Sequence, residues 1–129
     1  GRGAAAQVTV DNMDPPLLGV WSAPSGPSFA VGLGGTVFRR NAAGTGWALE
    51  AVPSGNDLYA ISGNSAADIV AVGDTGTILR YNGSAWRRDE RPTQVVLRAA
   101  WSGGGQHVLV GERGTILRSS GPAWTPQAS

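Results

Sequence analysis

Val72-Gly-Asp-Thr-Gly-Thr-Ile-Leu-Arg80 decides the fold, because the same stretch occurs three times in the chain. Val31-Gly-Leu-Gly-Gly-Thr-Val-Phe-Arg39 precedes it by 41 residues, and Val110-Gly-Glu-Arg-Gly-Thr-Ile-Leu-Arg118 follows 38 residues later. All three share Val-Gly-x-x-Gly-Thr, an apolar pair and Arg. Outward from this centre lie two further landmarks. Trp21-Ser22, Ile61-Ser62 and Trp101-Ser102 stand before the copies at steps of 40, and a Trp follows each copy, at 47, 86 and 124. A period near forty residues marks one supersecondary unit stacked on its neighbours.

Within a period the pattern reads as four short strands, clearest in the second copy. Leu58 to Ser62 is apolar, Asp68 to Gly73 is β-branched, Thr77 to Tyr81 follows a glycine turn, and Trp86 opens a polar alternating stretch. Gly63-Asn64, Asp74-Thr75-Gly76 and Asn82-Gly83 separate them with turn formers. No segment shows a sustained helical period. The repeated glycines invite comparison with a phosphate loop, but such a loop needs a helix right after it, and Thr-Ile-Leu favours extended chain. The reading is an all-β chain: a β-propeller segment of three four-stranded antiparallel blades, over residues 15–56, 57–95 and 96–129. Residues 1–14 precede them. Gln7 to Val10 lies 14 residues before Trp21, as Trp47 lies 14 before Ile61, so it takes the place of an outermost strand of a neighbouring blade. Trp124 to Gln127 claims the same slot in the third blade.

Composition permits a packed core and excludes several function classes. Leu, Ile, Val and Phe make up about a fifth of the 129 residues, just above the level at which disorder is expected. Ten Arg against nine carboxylates, with no Lys, leave a net charge of +1 and no general attraction to nucleic acid. With no Cys, disulfides, zinc–thiolate sites and thiol nucleophiles are excluded. No apolar run approaches the length of a membrane span.

Val110 to Gln127 resembles a blade of the BNR or Asp-box propellers, most closely those of photosystem II assembly factors and their bacterial relatives. In that family a Ser-x-Asp-x-Gly-x-x-Trp turn joins the third and fourth strands. The corresponding turns here run from Asn41 to Trp47, Asn82 to Trp86 and Ser119 to Trp124, and none of them carries the Asp. The resemblance implies a secreted or periplasmic protein with an arginine-rich binding surface. Sialidases share such blades, but their arginine cluster and Tyr nucleophile find no counterpart around Tyr59 or Tyr81, the two tyrosines of this chain.

Catalytic chemistry has little to work with. His107 is the sole histidine, so any Ser-His-Asp relay must use it, and Gly103-Gly-Gly-Gln106 before it is no nucleophile elbow. It reads as a polar residue at a strand entrance. The carboxylates are scattered, which argues against a metal, and no cofactor is implied. Asp89-Glu90, between Arg87-Arg88 and Arg91, reads as a solvated mixed-charge strand and loop.

Two functions remain open. One is a non-catalytic scaffold that binds a protein partner through its loop face. Its candidates are Arg39, Arg80 and Arg118, one per blade, with Asp74, Glu112, Arg113 and Arg91 on the loops that join the second strand to the third or one blade to the next. The other is a lectin-like propeller that stacks sugars on Trp47, Trp86 and Trp124, which requires all three to be exposed beside polar groups. Otherwise they are wedges between blades. Three blades are fewer than a closed propeller holds, so the expected partner in assembly is a second copy, giving half of a six-bladed ring per chain, or a second propeller fragment.

Overall fold

A computed structural model describes residues 16–41, 46–89 and 92–127. The strand proposed at residues 7–10 lies outside them. Twelve strands form three four-stranded antiparallel sheets, each ordered as the chain runs, with no α-helix among the described residues. Blade 1 holds β1 (Leu17–Ser22), β2 (Ser28–Gly32), β3 (Val37–Arg40) and β4 (Trp47–Leu49). Blade 2 holds β5 (Leu58–Ser65), β6 (Asp68–Gly73), β7 (Ile78–Tyr81) and β8 (Trp86–Arg88). Blade 3 holds β9 (Leu97–Gly103), β10 (Gln106–Gly111), β11 (Ile116–Ser119) and β12 (Thr125–Pro126).

Alternation along the strands sends successive side chains to opposite faces of a blade, and the middle blade is apolar on both. Ile61, Ile69, Ala71, Leu79, Tyr81 and Trp86 face blade 1, where they meet Phe29, Val31 and Val37. Val70, Val72 and Ile78 face blade 3 and pack on Leu97, Leu109 and Leu117. Among the described residues the outer faces of blades 1 and 3 have no such cover. Leu17 (46% exposed), Val20 (67%) and Leu49 (70%) lie open on the first, and Trp101 (58%) and Val110 (39%) on the second.

Each part of Val-Gly-x-x-Gly-Thr has a mechanical task. Between the second and third strands the chain makes a single 3-10 turn, at Leu33–Gly35, Asp74–Gly76 and Glu112–Gly114. A Cβ on Gly73 would stand 1.8 Å from the Asp57 carbonyl oxygen, because the chain entering β5 passes directly over it and accepts a 2.9 Å hydrogen bond from the Asp74 N–H. Gly76 closes the turn at φ +70°, and a Cβ there would meet the Thr93 carbonyl oxygen at 1.9 Å. The Thr77 hydroxyl donates 2.7 Å back to the Asp74 carbonyl, as Thr36 does to Leu33 at 2.8 Å.

The pairing corrects one landmark. Trp21 pairs with Phe29 and Trp101 with Val108, and the matching pair in blade 2 is Ser62 with Val70. Ile61, placed in that slot by its apolar-Ser context, is one residue off and points to the opposite face, where it corresponds to Val20 and Ala100. Before this position every innermost strand carries a bulge, leaving Leu18, Tyr59 and Arg98 unpaired.

Candidate functional site: the turn face and the blade joints

The three 3-10 turns lie at the same end of their blades and share a backbone. Their middle residues adopt left-handed angles, φ/ψ 70°/19° at Gly34, 50°/37° at Thr75 and 60°/30° at Arg113. Only the first is a glycine. For a β-branched Thr this region is an outlier, and it is sustained by local bonds: the Thr75 N–H donates to Asp74 Oδ1 at 3.0 Å, and Asn56 Nδ2 donates to the Thr75 hydroxyl at 3.2 Å. Asp57, on the connection between blades 1 and 2, accepts from the Gly34 N–H at 2.7 Å.

The innermost-strand bulges bring further groups to this end. Arg98 is bound to Glu112 at 2.7 Å and lies 5.3 Å over the Tyr59 ring. The hydrogen bond that Arg98 donates to Glu112 holds its guanidinium protonated above its ordinary range. Burial pushes the Tyr59 hydroxyl up, and the negative charges of Asp74 and Asp57 push it further. The turn face therefore combines Asp57, Asp74, Glu112, Arg98, Arg113 and one aromatic ring. Of these, Arg98 escaped the sequence reading, and Tyr59 was weighed only as a nucleophile. A repeat alignment that allowed for the bulge would have shown Tyr59 and Arg98 as equivalent positions.

The repeated arginines serve different surroundings. Arg80 reaches across the joint between blades 2 and 3, binding Asp89 at 2.5 Å and Ser119 at 2.9 Å and lying 4.6 Å over the Trp124 ring. Arg39 lies 5.9 Å over Phe29, with its Nε buried and unpartnered among the described residues. Arg118 is exposed and donates to Gln106 Oε1 from Nε at 2.8 Å. Asp89, expected in solvent, is buried to 7% side-chain exposure because Arg80 and the Trp124 indole N–H, at 2.8 Å, both bind it. Arg91 lies outside the described residues.

His107 opens β10 as a strand-entrance residue, yet it is 2% exposed. One ring nitrogen meets the Ser102 hydroxyl at 2.6 Å and the other meets Asp68 at 2.8 Å, and Asn64 Nδ2 donates to the same carboxylate at 2.9 Å. Burial works to raise Asp68, but the hydrogen bonds from His107 and Asn64 outweigh it and hold the carboxyl below its usual range. These residues form a Ser-His-Asp chain. With the ring 2% exposed between sheets, the chain fastens blade 3 to blade 2. His107 occupies the slot that Ile69 fills in blade 2 and Ser28 in blade 1.

The Trp positions do not form an equivalent exposed platform. Trp86 is buried against Phe29 and Tyr81, at ring separations of 5.6 and 5.1 Å, while Trp124 is half-buried under Arg80 and Trp47 half-buried on the open face of blade 1. The sugar-stacking alternative, which needs all three exposed, is not supported by this arrangement. A groove of about 460 Å³ runs beside Trp124 between Arg87, Arg88, Pro92 and Pro122. Among the described residues no three His, Asp or Glu converge as metal ligands, and no helix is long and apolar enough to cross a membrane.

Three four-stranded sheets packed face to face, each meandering from an inner strand to an outer one, leave one architecture. These are β-propeller blades. The chain is similar to the solved structure "YCF48 bound to D1 peptide", with TM-score 0.72 and 18% identity over 87% of this chain, and to YCF48 from Cyanidioschyzon merolae, with TM-score 0.71 and 16% identity over the same share. It is also similar to the WD40 β-propeller domain of Doa1, with TM-score 0.68 and 12% identity over 86% of the chain. It spans about two fifths of the length of each of these structures. No family model and no curated protein matches the sequence.

Proposed function

We propose that this chain is a non-catalytic propeller scaffold that binds a protein partner through its turn face. One observation carries the reading. Three turns of one backbone geometry present three unrelated side-chain sets, Leu33-Gly34, Asp74-Thr75 and Glu112-Arg113, with left-handed angles kept at two positions that are not glycine. A rigid scaffold with a variable rim is built for recognition, and strain held at a surface favours a functional reason for it. The peptide-bound YCF48 structure, of the same fold, lends support. Asp74, Glu112 and Arg113 make the contact in this reading, whereas Arg39, Arg80 and Arg118 lie on the blade faces that form the joints. The turns before Trp47, Trp86 and Trp124 occupy the place of the Asp-box, so the blades are read as kin of that type without its Asp. The partner-binding unit is a closed ring, for which two copies supply six blades.

The test is selection of binding peptides from a displayed library on the full chain. Glu112→Lys and Arg113→Glu should each weaken the selected peptide at least tenfold with the circular dichroism spectrum unchanged. Unaltered binding in both would remove the turn face from the reading. A fluorophosphonate reagent is expected to leave Ser102 unlabelled, and labelling would overturn the non-catalytic assignment.

A further inference from the structure

We propose that two copies of this chain join head to tail, the open face of blade 3 docking on the open face of blade 1 of the second copy, with Arg118 laid over the second copy's Trp47. This rests on the ring reading above and specifies its joint.

The molecule already stacks this pair of faces twice, and at the second joint it lays the repeated Arg over the next blade's Trp. By strand register, Trp101, Val108, Val110, Ile116 and Arg118 of blade 3 occupy the places of Trp21, Phe29, Val31, Val37 and Arg39 in blade 1. In blade 1, Phe29, Val31 and Val37 are wholly buried because blade 2 covers them, whereas Val110 is 39% exposed. On the opposite side, Val20, Ala30, Phe38 and Trp47 of blade 1 occupy the places of Ile61, Ala71, Leu79 and Trp86, which blade 1 covers in blade 2. The two open faces are thus the two halves of one interface, separated to opposite ends of the arc.

The details of fit select blade 1 as the counterpart. Trp21 lies across Gly63, where an added Cβ would come within 2.8 Å of the indole, and Ala71 is the small residue beside it. At the open joint Trp101 supplies the same large ring and blade 1 offers Ala30 where Ala71 stands, while Ser22 replaces Gly63, so the ring lies further from the innermost strand there. Blade 3's inward face offers Leu109 where Ala71 stands, so it is a poorer match. Arg80 lies over Trp124, and the residue of blade 1 equivalent to Trp124 is Trp47, which gives Arg118 its seat. Two such joints, related by a twofold axis along the channel, close six blades and leave no apolar end.

The experiment measures mass in solution with the full chain at tens of micromolar. The wild type is expected at twice 13.2 kDa. Trp101→Asp with Val110→Asp, and separately Val20→Asp with Leu49→Asp, should each give monomers of unchanged circular dichroism, since all four side chains are exposed in the single chain. Because the chain has no cysteine, Arg118→Cys mixed with Trp47→Cys should be joined by a short bis-maleimide crosslinker that spans the spacing of stacked sheets, while Arg118→Cys alone should not. Arg118→Ala should weaken the dimer about tenfold. A monomeric wild type overturns the proposal, as does a dimer that survives the aspartates or crosslinks Arg118→Cys to itself. The turn face lies off both end faces, so a monomer that still binds a selected peptide separates this failure from failure of the partner-binding reading.

Discussion

Blade 2 and its two neighbours are written in the same pattern, yet they live in different surroundings. Leu58 is fully buried and its equivalent Leu17 is 46% exposed, and Ile61 at 8% matches Val20 at 67%. Local pattern sets which residues form strands and which face they take. Burial, and with it most of the energy, depends on whether another blade lies against that face.

The comparison is sharpest at the tryptophans. Trp86→Ala should cost about 3–5 kcal/mol by denaturant unfolding, because the ring fills the joint between blades 1 and 2, whereas Trp47→Ala at low protein concentration should cost much less. Equal losses would erase the distinction between covered and open faces. Next come the leucines: Leu58→Ala should cost about 2–4 kcal/mol and Leu17→Ala under about 1.

A smaller effect separates the two joints by pH. The carboxyl of Asp68 is held below its unfolded value, so its contribution is present above the unfolded pKa and is lost as pH falls through the folded one. The melting temperature should fall on acidification through the carboxylate range more steeply in the wild type than in Asp68→Asn, and parallel curves would remove the clasp from the account. The smallest effect concerns the turns. Arg113→Gly gives blade 3 the residue that blade 1 has at Gly34, and should raise stability by about 0.5–1 kcal/mol by relieving the left-handed backbone. A loss of stability would mean that the Arg113 side chain is held by contacts of its own.

The repeat was legible because its residues act locally. Gly73, Gly76 and Thr77 are needed wherever a blade makes this turn, so they recur at fixed spacing, and the β-propeller blades and their four strands follow from them. What pairing decides was less visible. A bulge shifts register without altering composition, which is why Ile61 was aligned one place off and why Tyr59 and Arg98 were not matched to each other. The clasp of Ser102, His107 and Asp68 was hidden for another reason. Asp68 lies 39 residues from His107, on another blade, and no spacing rule joins groups that meet only when sheets stack.

The two joints are also made of different materials. Phe29, Tyr81 and Trp86 dominate the first, while the second adds to its aliphatic residues the polar ties of His107 and Arg80. Apolar attraction weakens on cooling, and hydrogen-bonded ties do not share that dependence. Chilling is therefore expected to loosen blade 1 from the arc first, and acid to loosen blade 3.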